Sequence, residues 1–217
     1  MTVSAVLGGA AVLLLGAAAY AGLVASPPDA FQGDYVRIMY VHVPAAWVAY
    51  LAVGVTLVGG VLYLWRREAR YDALTRSATE LAVLFTGLTL ATGSIWGRPV
   101  WGVWWTWDAR LVTTAVLFLI YCSALLVRAL ADDPQRGARL GAVVGVLGAA
   151  DVPLIHYSVV WFRTLHQPPS ITRGEVALAP PMLLTLLLSL LAFTVLFAYL
   201  LLLRVRVARR EESEEAG

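Results

Sequence analysis

At 217 residues, with 60% hydrophobic and only 14% charged residues and a mean hydropathy of +0.76, the chain lacks the charge that a soluble domain needs to cover its surface. Composition therefore excludes an ordinary soluble enzyme and reads as an integral membrane protein. The net charge of +2 gives no reason to expect nucleic acid.

The apolar residues fall in blocks of about twenty, the length that crosses ~30 Å of hydrocarbon as a helix. Alternating strands of about ten residues are missing, which favours an all-α bundle over a barrel. Six spans are expected within a single transmembrane domain covering 1–217: Val3 to Val24, Val43 to Trp65, Ser77 to Ile95, Leu111 to Ala131, Leu140 to Val160 and Pro181 to Leu203. The first resembles a signal peptide in ending on small residues before Ser26, Pro27 and Pro28. No Lys or Arg precedes Arg37, however, so it is expected to stay as an uncleaved helix.

All sixteen basic residues are arginine. Arg66, Arg67, Arg70 and Arg76 follow span two, Arg128, Arg136 and Arg139 follow span four, and Arg204, Arg206, Arg209 and Arg210 begin the tail 204–217. The opposite connections hold only Arg37, Arg98, Arg110, Arg163 and Arg173. The positive-inside rule then predicts both termini in the cytoplasm. The inner connections read as punctuation: Asp132, Asp133 and Pro134 end span four, Gly137 helps a short turn, and Glu211 to Glu215 form a frayed end.

Between spans three and four, on the expected outer (periplasmic) face, lies WGRPVWGVWWTWDAR, Trp96 to Arg110, with five of the eight tryptophans of the chain. Trp101, Trp104, Trp105 and Asp108 recur at helical spacing, which predicts a short amphipathic helix lying along the membrane with an aromatic face. Belt anchoring is the plainer reading of interfacial tryptophan, and Asp108 is expected to cap span four.

Three histidines occur. His42 opens span two in RIMYVHVPAAW, where Pro44 suits a first helical turn, and His166 lies in an outer loop in VVWFRTLHQPP. His156, ten residues earlier, would sit ~15 Å deeper in a continuous helix. One interfacial histidine is usually a hydrogen-bonded belt residue. Two of them flanking an aromatic segment are the donors expected of a low-spin haem, with Arg37, Arg98 and Arg110 available for its propionates. Metal without porphyrin lacks carboxylate or thiolate co-ligands outside, and the single Cys122 is mid-span and builds no disulfide.

Within the spans, Thr86, Thr89 and Thr92 recur beside Gly87 and Gly93, a pattern read as close helix packing. Asp151 beside Pro153 is expected to hold a kink together.

WGRPVWGVWWTWDARL resembles the tryptophan-rich WWD signature of the haem-handling proteins of cytochrome c maturation, with spacing most similar to the CcmC family. RIMYVHVPAAW and IHYSVVWFRTLHQ resemble the two histidine segments of that family, so the likeness covers roughly residues 35 to 167. CcmF and the CcsA type share the signature but have more spans. The resemblance implies haem b held transiently at the outer face of the bacterial cytoplasmic (inner) membrane and brought to the haem chaperone CcmE, with the CcmA and CcmB ATPase complex and the small CcmD as further partners. It makes His42 and His166 the axial ligands and Trp96, Trp101, Trp104, Trp105, Trp107 and Asp108 the platform, with His156 and Asp151 behind them. Phe162 and Val112 depart from the family pattern. No GxxxxGK[ST] loop occurs, so the expectation is a transfer platform and not an enzyme. A transmembrane b-type cytochrome passing electrons and a haem-conducting channel are the alternatives.

Overall fold

The computed structural model describes residues 2–162, 164–166 and 177–215, without the side chains of 212–215. Arg163 and Arg173, assigned above to the outer side, lie outside the described residues. Among the described residues, seven α-helices make six apolar spans: α1 (Val3–Tyr20), α2 (Met39–Arg66), α3 (Ala69–Trp101), α4 (Ala109–Ala129), α5 (Pro134–Gly148), α6 (Asp151–Trp161) and α7 (Pro180–Glu215). The chain is thus an all-α, multi-pass membrane protein, and no strand occurs among the described residues.

Several boundaries differ from the hydropathy reading, each for a local reason. A 3-10 turn over Asp34–Ile38 feeds directly into α2, so Pro44 sits inside the helix and not in its first turn. α3 runs past Ile95 and through Pro99 to Trp101, where Gly102 at φ 80° stops it and returns its N–H to the Arg98 carbonyl. The expected amphipathic helix along the membrane is therefore absent: Trp96 to Trp101 complete a span, and Val103 to Asp108 are non-helical. Helical spacing in the sequence carried no information about where the helix ended.

Asp108 caps α4 by accepting from the Arg110 and Leu111 amides. In the connection between spans four and five, Asp133 accepts from the Arg136 amide and Pro134 occupies the first turn of α5, so these residues start span five and do not end span four. Gly137 lies in that helix and not in a turn. Span five breaks at Ala149 and Ala150, two residues ahead of the expected kink, giving α5 and α6. The Oδ2 of Asp151 is buried without a hydrogen-bond partner among the described residues. The tail is not frayed at its start, because α7 continues to Glu215.

α2 and α3 pack along their lengths at the centre, with α4, α5 and α7 around them and α1 against α7. α5 approaches through a seam of buried small residues, Gly137, Ala138, Gly141, Ala142 and Gly145, which lets backbones close without a hydrophobic drive in lipid. Val48, Leu81, Phe85, Leu117, Tyr121 and Ile155 fill the centre. Near one end, Arg128 grips Asp72 through two bonds of 2.5 and 2.6 Å, and Arg204 grips Glu80 at 2.6 and 2.9 Å. These bidentate pairs tie α4 and α7 to the start of α3.

Candidate functional site

The site is built where α2 begins and α3 ends. His42 lies one turn into α2, and its ring packs on α3 against a position with no side chain: a Cβ on Gly93 would stand 2.9 Å from His42 Cε1. The His42 Nδ1 lies 3.1 Å from Thr92 Oγ1. Trp96, one turn further along α3, meets the imidazole edge to face at 5.7 Å, and its own Nε1 donates to Gln32 Oε1 at 2.9 Å. The ring is therefore held on three sides by the rigid part of the bundle.

His166 arrives from the segment after α6. Its ring meets Trp101, the last residue of α3, at 4.8 Å between centroids. Nδ1 is buried without a hydrogen bond among the described residues and stands 3.8 Å from Asp108 Oδ2, too long for a bond. Burial holds the imidazole down at about 4, with the Arg110 charge assisting, against the upward pull of Asp108. At neutral pH the ring is uncharged and able to donate a lone pair.

The two histidines face common space. His42, His166, Trp96, Trp101, Arg110 and His156 line a cavity of about 420 Å³. A smaller one of about 110 Å³ shares His42, His166, Trp101 and Arg110, adds Trp105, and extends along α3 to Thr89 and Thr86. Tyr50 lines both.

The other expected residues divide clearly. Trp101 and Trp105 face the cavities, while Trp104 and Trp107 stand 59% and 85% exposed, with the Trp107 ring 5.8 Å from that of Trp105. The single aromatic face expected of Trp101, Trp104 and Trp105 does not form, because the extended backbone turns Trp104 away; its carbonyl accepts from Ser94 Oγ. Of Arg37, Arg98 and Arg110, only Arg110 lines the cavities. It reaches the His156 carbonyl at 3.3 Å and leaves a buried Nε without a partner among the described residues. Arg37 is spent on Asp34 and on the Gly22 carbonyl, and Arg98 on the Gly102 carbonyl, so neither lines the site.

His156 lies on α6 with an exposed side chain that lines the larger cavity, its ring edge-on to Tyr157 at 5.0 Å. The ~15 Å depth expected of it fails because α6 ends at Trp161 and the chain leaves the helix before His166. Asp151 is buried and lines neither cavity. Thr92, Thr89 and Gly93 were read as packing residues; their signal was spacing on the helix that faces a histidine, which no single sequence segment displays.

Two neutral imidazoles, indole walls and one partly unpaired guanidinium suit a flat, apolar ligand with a metal centre and acidic edges. No cluster of three or more His, Cys, Asp or Glu residues occurs among the described residues, so a bare ion has no comparable donor set. Nδ1 of His166, Nε1 of Trp105 and Nε of Arg110 are buried without a hydrogen-bond partner among the described residues, as polar groups that a ligand in this space could meet.

The fold is that of a polytopic helical membrane protein, with a cavity lined by two imidazoles and by tryptophan. The family model of heme exporter protein C, CcmC, matches residues 1–216. The chain is 41% identical over 201 residues to heme exporter protein C of Bradyrhizobium diazoefficiens, covering 92% of this chain and 76% of that one. It is 37% identical over 203 residues to heme exporter protein C of Haemophilus influenzae, covering 93% and 82%. A relative named as a ccmC-like mitochondrial protein of cytochrome c biosynthesis, from Marchantia polymorpha, is 35% identical over 189 residues, covering 87% and 80%. The chain belongs to the heme exporter protein C family.

Proposed function

We propose that this protein handles haem for cytochrome c maturation, holding haem b as a transient cargo between His42 and His166 and delivering it to the chaperone CcmE. The observation that supports this most directly is the convergence of a helix-borne and a loop-borne histidine on one tryptophan-lined cavity. Haem supplies the iron and the flat ring; the chain supplies position. Each histidine offers a neutral nitrogen, Trp101 and Trp105 offer apolar faces, and Arg110 offers a cation for a propionate. Exposed Trp104 and Trp107 border the site and give a chaperone an aromatic surface to meet.

On this reading the protein is a docking platform and not an enzyme. Any ATP use belongs to partners of the CcmA and CcmB type, with CcmD as a further small partner. The membrane is the bacterial inner membrane, the site faces the periplasm and both termini face the cytoplasm. The arginine distribution and the bacterial relatives support that placement.

The test is the visible spectrum of the purified full-length protein loaded with haem. The unmodified protein is expected to give a low-spin, bis-imidazole spectrum and the double variant His42→Ala, His166→Ala to lose it. A double variant that kept the same spectrum would sink the assignment of both ligands.

A further inference from the structure

Resting on the haem-holding reading above, the geometry points to Thr92 as a positioning residue that fixes the tautomer of His42. We infer that Thr92 accepts a hydrogen bond from the His42 Nδ1–H and so reserves Nε2, with its lone pair, for the iron.

The argument is a count of hydrogens. A threonine hydroxyl has one proton and two lone pairs. On α3 that proton is committed to the backbone: Thr92 Oγ1 lies 2.7 Å from the Leu88 carbonyl and 3.3 Å from the Thr89 carbonyl. Both are acceptors, so neither can supply a hydrogen to the pair. The 3.1 Å contact between Thr92 Oγ1 and His42 Nδ1 then needs its proton from the ring, and the hydroxyl acts there as acceptor. An acceptor at Nδ1 places the single N–H of a neutral imidazole there. Nε2 has no hydrogen-bond partner among the described residues.

Gly93 completes the device, because only a residue without Cβ lets the ring lie close enough to α3 to make the bond. No counterpart occurs at His166, whose Nδ1 is unbonded among the described residues. A ligand whose distal N–H is hydrogen-bonded is more basic and more rigidly aimed, and losing such a partner typically costs 10–100-fold in metal affinity. His42 is thus the fixed ligand of the pair.

The test compares Thr92→Val, which keeps the shape and removes the acceptor, with Thr92→Ser, which keeps the acceptor. Full-length protein in detergent is loaded with haemin, and both the haem dissociation rate and the iron reduction potential are measured, with helicity checked by circular dichroism. The expected result is haem loss at least about tenfold faster in Thr92→Val and a potential shifted upward, since a less basic ligand favours ferric iron less. Thr92→Ser is expected to stay within about twofold of the unmodified protein by the same measure. Equal potentials and rates for Thr92→Val and the unmodified protein would overturn this inference while leaving the haem reading intact. So would a Thr92→Ser as impaired as Thr92→Val. An unmodified protein that takes up no haem would overturn both.

Discussion

The two histidines at the cavity differ in how the chain holds them. His42 is carried by a central helix, wedged over Gly93, edged by Trp96 and bonded to Thr92. His166 is carried by a segment outside the helices, meets one aromatic edge at Trp101, and leaves a buried nitrogen unbonded. The difference teaches that a site can be half scaffold and half clasp. On the proposed reading, a cargo that must be released is served by one ligand too well supported to leave and one cheap to withdraw.

The sharpest way to break that comparison is to remove each histidine alone. His42→Ala is expected to lower haem occupancy by on the order of a hundredfold, since it takes away the oriented ligand. His166→Ala should retain haem about tenfold better than His42→Ala, in a spectrum that added imidazole returns to low spin. Equal losses, or a reversed order, in the Soret absorbance per protein would show that the helix support carries no weight. A smaller effect is expected from Gly93→Ala. Its new Cβ would stand 2.9 Å from a ring pinned by Thr92 and Trp96, so His42 must shift. About tenfold weaker haem retention should follow, along with a stability loss of about 1–3 kcal/mol from overpacking. Gly87→Ala is the control, because its Cβ meets Phe118 at 3.2 Å, away from the cavities. It should cost stability in a thermal melt and leave haem retention unchanged.

What the sequence shows and hides follows the same division. Span number was legible because twenty apolar residues have one use in a membrane helix. The histidines and tryptophans were legible because their chemistry is rare at an interface. The limits of α3 were not, since Pro99 tolerates a helix that tertiary contacts sustain, and only Gly102 at φ 80° ends it. Nor was the sorting of Arg37, Arg98 and Arg110, whose chemistry is identical and whose partners are set by backbone carbonyls nearby. The Thr89, Thr92 and Gly93 cradle escaped for a related reason. A packing pattern and a ligand support look alike until the facing helix is known.

The smallest expected effect concerns protons and separates the clasp from the scaffold once more. His166 is held near 4 by burial against an ordinary value of 6.5 in the unfolded chain. Between those values the unfolded state binds the proton that the folded state refuses, so stability rises with pH across this window. The contribution is fully present above about 6.5 and is lost as pH falls toward 4. The thermal midpoint of the haem-free protein should therefore drop over that range, and His166→Gln, which cannot take the proton, should flatten part of the drop. His42→Gln, which also loses the Thr92 bond, should lower the midpoint at neutral pH as well. If His166→Gln left the slope of midpoint against pH unchanged, the buried, uncharged state of the loop histidine would be wrong, and with it the ease of withdrawing that ligand.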